Sequence, residues 1–458
     1  MQCEIMLPGD TISIRDPLHG TIEMERRELR LLEHPTMRRL RRIKQLGFAD
    51  FPYPGATHSR FVHSVGASWM ATRLWHKIQN HLGLPEKESQ QVLRLLRAAM
   101  LLHDIGHAPL SHTTEYIMPP VHELNLSEWS QNQERQATHE DYTLKLLLDS
   151  PLSKVLQDME LWPRQLAQLI SGRQMDNSSR FVYQGLDLFP LMRQVVSSEL
   201  DADRMDYLPR DALFTGVAYG HFDVDWLIRH VVPVEKDGSV YLGLRNKAIF
   251  TFEDFLLARY NMFHSVYYHH ASVCYQQMLY YYYQEAPEEY ELPTNADEYI
   301  QTDDYQLMHV LRNSKNRWAQ RIVHNEPYRK LVELILPASD NPVDVTTRQD
   351  EVDQDVGESF LEAAQAALKD ANIEHFATAT PWLLSNYARP RPSQEPPLFV
   401  LDKTFDQAVP LSQYSRLYQR YKETRKILRI YVAPEQVTPA QDIVHTIQKT
   451  SHLWLWNT

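Results

Sequence analysis

The sequence is poor in cysteine, with only Cys3 and Cys274 in 458 residues. Two cysteines cannot form a disulfide framework or a thiolate metal site, and both fit a reducing compartment. No stretch of about 18 uncharged apolar residues is present. The start MQCEIMLPGD also lacks the basic-then-apolar pattern of a signal peptide. We therefore expect a cytoplasmic protein that does not span or bind a membrane.

Glycine and positive charge are also scarce. The 14 glycines form neither GxGxxG nor GxxxxGK[ST], which argues against the nucleotide-binding folds built on glycine loops. With 47 Lys and Arg against 59 Asp and Glu, the formal net charge is −12. This charge disfavours general adhesion to nucleic acid or anionic membranes. Any phosphate chemistry must therefore use side chains and a metal at a local site.

Apolar residues are plentiful, and their spacing predicts a mainly α protein. They make up 43% of the chain, enough for a large core. Helical periodicity runs through 61–82, 89–105, 139–149, 188–215 and 251–284. Alternating patterns predict a hairpin arm at 238–244 and a strand at 426–433, with PLFVL at 397–401 as its expected partner.

A polar, acidic segment at 341–360 predicts a loop or linker. It divides the chain into an expected catalytic core at 1–340, which includes a basic N-terminal segment, and a small mixed α/β C-terminal lobe at 361–458. The basic segment at 22–46 predicts two short helices separated near Pro35. Its cations would form one face on a helix: Arg26, Arg27, Arg30, Arg38, Arg39, Arg41, Arg42 and Lys44. That face could be solvated and ion-paired, or it could bind phosphates or a partner.

The densest group of reactive side chains lies in THSRFVHSVG (57–66) and AAMLLHDIGHAPLSHTTEY (98–116). It contains His58, His63, His103, Asp104, His107 and His112. An apolar helix leads up to His103 and ends near Gly106, so His103 and Asp104 can both turn toward one cation. Imidazole and carboxylate ligands suit Fe, Mn, Co, Ni or Zn, and Mg only when carboxylates dominate.

A further ligand must come from another part of the chain. The segment SSELDADRMDYLPRDA at 197–212 offers Asp201, Asp203, Asp206 and Asp211 in a helical pattern. The alternative interpretation is a surface helix with ion pairs four residues apart.

These motifs, taken in order, resemble the HD-domain metal-dependent phosphohydrolases, and within them the deoxynucleoside triphosphate triphosphohydrolases. The matching blocks span roughly residues 12–280: DPLHGTIE (16–23), IKQLGF (43–48), PGATHSRFVHSVG (54–66), LLHDIGHAPLSH (101–112), HE (139–140), LDADRMDYLPRD (200–211) and ARYNMFHSVYYHH (258–270). The resemblance implies a helical HD-domain core and a divalent metal cofactor.

The resemblance also implies a role for individual residues. The metal ligands would be His63, His103, Asp104 and Asp203. The catalytic group would be His107, His112 as general acid, Glu115 as its partner, and His139. The substrate-binding group would be Arg60, Arg204, Tyr207 and Arg259 on the triphosphate, Gln45 and Asp211 on the sugar 3′-hydroxyl, and Leu46 and Tyr267 against its 2′ edge.

The implied reaction is hydrolysis of dNTPs at the α-phosphate to deoxynucleoside and triphosphate. Two alternatives remain open: a phosphodiesterase or nuclease acting on cyclic nucleotides or single strands, and a non-catalytic nucleotide sensor. Glu33, Arg38 and Arg41 match positions of a nucleotide-activating site between subunits in this family. We therefore also expect a homo-oligomer, dimer or tetramer, that responds to a nucleotide effector.

Overall fold

The computed structural model describes residues 7, 10–130, 132, 134–175, 179–337, 348–382, 396–402, 407–415 and 425–451. These residues form two compact units. The first takes the described parts of Met1–Val266, Glu288–Val310 and Arg391–Tyr418, and the second takes those of Tyr267–Pro287, Leu311–Pro390 and Gln419–Thr458. Each unit is built from several chain segments.

The first unit is mainly helical. Its helices are α1 (Leu29–Leu32), α2 (Pro35–Arg39), α3 (Arg60–Gln79), α4 (Glu86–Leu102), α5 (His139–Leu148), α6 (Pro151–Asp158), α7 (Pro163–Ser171), α8 (Phe189–Val196), α9 (Ala202–Thr215), α10 (Val224–His230) and α11 (Ile249–Met262). Helix α3 packs against both α4 and α9. Most of α3 is buried, which explains why its apolar face is hard to distinguish in the sequence.

Short strands accompany these helices. An antiparallel hairpin joins β1 (Thr11–Asp16) to β2 (Gly20–Glu25). A second sheet contains β3 (Val182–Tyr183), β4 (Leu186–Asp187), β5 (Val231–Lys236), β6 (Ser239–Arg245), and the later strands β9 (Phe399–Asp402) and β10 (Gln407–Pro410). The pairing of β5 with β6 confirms the hairpin predicted at 238–244.

The second unit has an antiparallel sheet with two helices packed on it. Strand β11 (Arg425–Val432) lies between β7 (Arg329–Pro337) and β8 (His375–Trp382). Apolar residues of α16 (Arg348–Asp370) and α18 (Val437–Ser451) form a buried cluster with β7 and β11. The unit also contains α12 (His270–Glu285) and α15 (Arg317–Val323). The first unit also contains α13 (Ala296–Tyr299), α17 (Leu411–Tyr414) and most of α14 (Asp304–Asn313).

The mainly α fold is confirmed, but three local predictions are wrong. The segment 341–360 is helical from Arg348 onward, because Phe360 and Leu361 belong to an apolar face that packs in the core of the second unit. Residues 341–347 lie outside the described residues. The run at 397–401 pairs with β6 and β10 instead of the 426–433 strand. Residues 22–25 belong to β2 and not to a helix.

Other predictions need smaller changes. The helical stretch 188–215 breaks at 197–201, where the Asp201 side chain accepts the backbone N–H of Arg204 and starts a new helix. Pro35 begins α2, a position where a missing N–H costs nothing. Cys274 is buried and Cys3 lies outside the described residues. Within the described residues, no helix is long and apolar enough to cross a membrane.

Candidate functional site

Three helix positions bring the predicted metal ligands together in the first unit. His63 lies in the first turns of α3, His103 follows the last residue of α4, and Asp203 lies in the first turn of α9. One ligand atom from each of these three residues lies within 4.8 Å of the others. The Nε2 atom of His63 is 2.9 Å from Asp203 Oδ1, and that of His103 is 3.5 Å from the same oxygen.

The hydrogen bonds of the two imidazoles fix which nitrogen faces Asp203. His63 donates from Nδ1 to Asp206 at 2.8 Å, and His103 donates from Nδ1 to the carbonyl of Met100 at 2.8 Å. Each ring therefore turns its Nε2 atom toward the same place. The Nε2 atom of His103 is buried, and no hydrogen-bond partner for it exists among the described residues. This arrangement fits a divalent cation held by imidazole and carboxylate.

Asp104, the fourth predicted ligand, borders the same place. Its oxygens lie 3.7 Å from His63 Nε2 and 3.3 Å from His103 Nε2. It also accepts a 2.6 Å hydrogen bond from Arg60. Burial alone would raise the pKa of Asp104, but His103, Arg60 and His107 hold it well below its usual range. Asp104 is therefore an anion and can serve as a ligand.

The charge of the group favours a cation as well. Burial disfavours the protonated imidazole of His63, but hydrogen bonds to Asp203 and Asp206 outweigh burial and raise its pKa to about 10. Asp203 is half-buried, which raises its pKa, yet the two histidines outweigh this effect and lower its pKa below the usual value. The carboxylates thus stabilise positive charge between His63, His103 and Asp203. A bound metal cation would supply that charge.

A second cluster adjoins the first through Asp104. It consists of His107, His112, Glu115 and His139, whose ligand-type atoms also lie within 4.8 Å of one another. His107 Nε2 is 3.4 Å from Asp104 Oδ1, and its ring stacks on that of His139 at 3.9 Å between centroids. The structure therefore brings all four predicted catalytic residues together beside the predicted metal ligands.

Glu115 connects two histidines of this cluster. His139 donates from Nδ1 to Glu115 Oε1, and His112 Nδ1 lies 3.2 Å from the same oxygen. Burial would raise the pKa of Glu115, but the two histidines hold it far below its usual range. Burial likewise opposes protonation of His139, yet Glu115 raises its pKa. His112 is the accessible member, with 64% of its side chain exposed.

The predicted phosphate-binding arginines are buried and ion-paired. Arg60 contacts Asp104, Arg204 contacts Asp201, and Arg259 lies 3.4 Å from Glu199. Arg204 directly follows Asp203 on α9, and the half-buried Tyr207 lies one turn further along. The ring of Tyr207 is 6.3 Å from that of His63. Arg60 and Arg204 therefore border the metal ligands, and carboxylate partners hold all three arginines in place.

Two of the predicted sugar-binding residues, Gln45 and Asp211, are linked by His58. The backbone N–H of Gln45 donates to the carbonyl of His58, and His58 Nε2 lies 2.8 Å from Asp211 Oδ1. Gln45 Oε1 is buried without a hydrogen-bond partner among the described residues. Leu46, next to Gln45, is half-buried. Tyr267 is half-buried as well and begins the second unit.

The basic segment does not form one continuous cationic face. Arg39 is buried and donates to Thr302 and to the carbonyl of Ile105. Five others pair with carboxylates: Arg26, Arg27, Arg30, Arg42 and Lys44. Arg38 and Arg41 have no carboxylate partner among the described residues, and Arg41 lies over the ring of Phe61. Glu33, Arg38 and Arg41 are all exposed.

Sequence reasoning missed the residues that support this site. The sequence offers Asp206 only as one of four candidate ligands, whereas in the structure Asp206 is fully buried and binds His63, His19 and Arg210. Asp304 accepts the backbone N–H groups of Lys44 and Leu110. The DPLHG motif was the available signal for His19.

Comparison with protein families agrees with this geometry. A model of the HD domain matches residues 60–208, and a model of the HD associated region matches residues 222–371. The chain is therefore an HD-domain protein, as the motifs predicted, and fits a dNTPase-like HD-domain family.

Three curated relatives extend the comparison. An uncharacterized protein of Methanocaldococcus jannaschii is 30% identical over 70% of this chain and 59% of its own length. The uncharacterized protein YwfO of Bacillus subtilis is 33% identical over 56% of this chain and 51% of its own length. Human deoxynucleoside triphosphate triphosphohydrolase SAMHD1 is 26% identical over 72% of this chain and 51% of its own length. The chain thus matches only about half to three fifths of each relative.

Two solved structures share the fold. A hypothetical protein from Aquifex aeolicus has a TM-score of 0.70 and 23% identity, covering 95% of this chain and 100% of its own. A phosphohydrolase from Bacteroides thetaiotaomicron has a TM-score of 0.64 and 22% identity, covering 93% and 100%. These structures show the fold, while the HD domain and the histidine–carboxylate cluster support a metal-dependent phosphohydrolase.

Proposed function

We propose that the protein hydrolyses dNTPs at the α-phosphate and releases deoxynucleoside and inorganic triphosphate. The observation that carries the proposal is the contact between two clusters: His63, His103 and Asp203 on one side, and the histidines around Glu115 on the other. Asp104 joins them. The similarity to SAMHD1 supports the choice of dNTPs as substrates.

The first cluster and the neighbouring arginines would bind the metal and the phosphates. His63, His103, Asp104 and Asp203 would hold a divalent cation, which when bound would supply Lewis acidity and lower the pKa of a water molecule toward neutral pH. Arg60 and Arg204 border this centre, and together with Arg259 they would offset the charge of the phosphates. When the substrate binds, phosphate oxygens would replace the carboxylates that now pair with these arginines. Each guanidinium would therefore remain ion-paired.

The second cluster supplies a proton. His112 is exposed and contacts Glu115, so it can reach a leaving 5′-oxygen while the carboxylate orients its ring. His107 is different, because burial lowers its pKa well below the usual value and keeps it neutral. His107 therefore contacts the phosphate as a hydrogen-bonding group and His112 acts as the general acid.

Sugar selection belongs to Gln45, Asp211, Leu46 and Tyr267. The unpartnered Oε1 of Gln45 can accept a hydrogen bond from a 3′-hydroxyl, and leaving that atom buried without a partner is costly. Leu46 and Tyr267 would exclude a 2′-hydroxyl. Under this proposal, dATP is cleaved and ATP is spared.

The proposal is tested by combining metal analysis with turnover. Purified protein is loaded with Mn²⁺ or Mg²⁺ and incubated with dATP, ATP and a phosphodiester substrate. We expect one metal equivalent and cleavage of dATP alone, and we expect both to be lost in His103→Ala and Asp203→Ala. The exposed His122 provides a control, because His122→Ala should change neither quantity. Full activity of His103→Ala, or preferred cleavage of the diester, would contradict the proposal.

A further inference from the structure

We propose that the β1–β2 hairpin is a positioning element for the metal centre, and that His19 holds Asp206 against the metal ligand His63. This inference rests on the proposed metal site, and it assigns a role to the DPLHG motif at 16–20. None of the proposed catalytic steps uses this motif.

The connection between the hairpin and the metal ligand passes through one carboxylate. Asp206 is fully buried, and it contacts Nδ1 of His63 at 2.8 Å and Nε2 of His19 at 2.6 Å. His19 lies 187 residues away along the chain, and its side chain is only 8% exposed. Both imidazoles donate to the carboxylate, one to each oxygen.

Arg210 completes the arrangement around Asp206. It donates from Nε to Asp206 Oδ2 at 2.8 Å and from Nη2 to Oδ1 at 2.9 Å. It also donates from Nη1 to Asp16 Oδ2 at 2.8 Å. The guanidinium is fully buried between two carboxylates. Asp206 therefore cannot rotate away from His63 without breaking several charge-assisted hydrogen bonds.

Asp16 also shapes the turn that carries His19. Its Oδ1 accepts the backbone N–H groups of Leu18 at 2.9 Å and His19 at 2.8 Å. The turn ends at Gly20, whose φ of +74° is easily adopted by glycine. The same carboxylate thus fixes the backbone of His19 and the guanidinium that holds Asp206.

Close packing between α3 and α9 makes this network possible. A Cβ at Gly66 would lie 2.0 Å from Asp206 Oδ1 and 2.2 Å from Arg210 Nη2. A side chain at this position, one turn after His63, would push Asp206 and Arg210 away from α3. Gly66 is therefore required because the Asp206–Arg210 ion pair lies against its Cα, and not because of a special backbone angle.

Loss of the contact between His19 and Asp206 should weaken metal binding in addition to any effect on folding stability. Asp206 keeps the proton of His63 on Nδ1, which directs the Nε2 lone pair to the metal. Such partners of a metal-binding histidine typically change metal affinity 10- to 100-fold. His19 does not touch the metal-binding atoms, so it acts only through Asp206.

The test uses the full chain with Co²⁺ as the probe. We would measure Co²⁺ affinity by chelator competition, the visible absorption of the Co²⁺ form, and the melting temperature. The variants are His19→Ala and His19→Gln, whose amide can still donate to Asp206. The control is Glu28→Gln, which breaks the buried Arg97–Glu28 ion pair just after the same hairpin.

We expect His19→Ala to weaken Co²⁺ binding about 10- to 100-fold and to alter the Co²⁺ spectrum, with partial recovery in His19→Gln. Glu28→Gln should lower the melting temperature while leaving affinity and spectrum unchanged. Unchanged affinity and spectrum in His19→Ala would overturn the inference, as would an equal loss of affinity in Glu28→Gln.

Two more arms separate this inference from the proposed function. If His103→Ala abolishes Co²⁺ binding and His19→Ala does not affect it, the positioning role alone fails. If Co²⁺ binding is unchanged in His103→Ala as well as in His19→Ala, the proposed metal site and the inference fail together. If His19→Ala weakens Co²⁺ binding but the wild type cleaves no dNTP, the inference stands and the proposed function fails.

Discussion

At the scale of single residues, Glu115 determines how the second cluster can work. The carboxylate is shared by His139, which is largely buried, and His112, which is exposed. Because its pKa lies far below the usual range, Glu115 stays charged across the working pH range. It can therefore stabilise a protonated His112 without itself taking up the proton.

The first prediction concerns this pair. His112→Ala should slow turnover about 10²- to 10⁴-fold, because a general acid typically contributes that much. Metal content should be unchanged, since His112 is outside the His63, His103 and Asp203 cluster. Glu115→Gln should give a smaller defect of the same kind. Loss of metal in His112→Ala, measured by elemental analysis, would instead make His112 a ligand.

Single residues also show how far sequence reasoning reaches. His63, His103, Asp104 and Asp203 could be predicted because their order and spacing match a known pattern. The structure places them together, although their role as ligands stays a prediction. The pairing of His19 with Asp206 could not be predicted, because neither residue has a local pattern that indicates the other across 187 positions.

At the scale of elements, the loop after α4 is held by a residue far along the chain. Leu110 and Ser111 have φ values of +58° and +61°, which are unfavourable for residues with side chains. Asp304, at the start of α14, accepts the N–H of Leu110 at 2.7 Å and that of Lys44 at 2.9 Å. This carboxylate stabilises the turn that immediately precedes His112.

The second prediction is a pH dependence of stability. Burial raises the pKa of Asp304 to about 6, despite the N–H groups of Leu110 and Lys44 and the charge of Lys44, which lower it; Asp303 adds a smaller upward effect. A carboxyl whose folded pKa exceeds its unfolded value of about 3.9 binds its proton more tightly when folded. Its contribution to stability is therefore present below about pH 4 and is lost as the pH rises through 6.

Asp304→Asn removes this titration. Relative to wild type, the free energy of unfolding of Asp304→Asn should rise by roughly 2–3 kcal/mol between pH 4 and pH 7, since one pKa unit corresponds to about 1.4 kcal/mol. Asn cannot accept both N–H groups, but that loss is the same at every pH. Urea unfolding at several pH values measures the difference. A constant difference, or one that falls with pH, would contradict the assignment.

The same scale shows why some elements were mispredicted. Period and apolar content predicted α3, α4 and α5 well, because these properties are local. Strand partners are not local: PLFVL could have paired with any exposed edge, and it pairs with β6. The helix from Arg348 has no clear signal in the sequence, because its first residues are polar and its apolar face begins only near Phe360.

At the scale of the whole molecule, positive charge is a minority, and in the basic segment most of it is paired with carboxylates. The chain carries a net charge of −12, and most cations of the basic segment form ion pairs with carboxylates. Arg39 is buried and bonded to Thr302 and the Ile105 carbonyl, so within the described residues Arg38 and Arg41 are the exposed cations of this segment that have no carboxylate partner. An anionic effector that joins subunits would therefore be expected to contact these two side chains.

The third prediction is that nucleotide changes the assembly state. Light scattering should show a larger mass with GTP or dNTP than without, and Arg41→Glu should abolish that response. Arg30→Glu is the matched control, since Arg30 is exposed but lies 3.5 Å from Asp158. A mass that ignores nucleotide in wild type and in both variants would leave Arg38 and Arg41 without a regulatory role.

The central claim is that water attacks the α-phosphorus of a dNTP. Hydrolysis of dATP in ¹⁸O-labelled water, followed by chromatography and mass spectrometry, tests it most directly. The account predicts two products: intact triphosphate that carries one ¹⁸O atom, and unlabelled deoxyadenosine. Release of deoxyadenosine monophosphate, diphosphate or orthophosphate, or label in the nucleoside, would contradict the account.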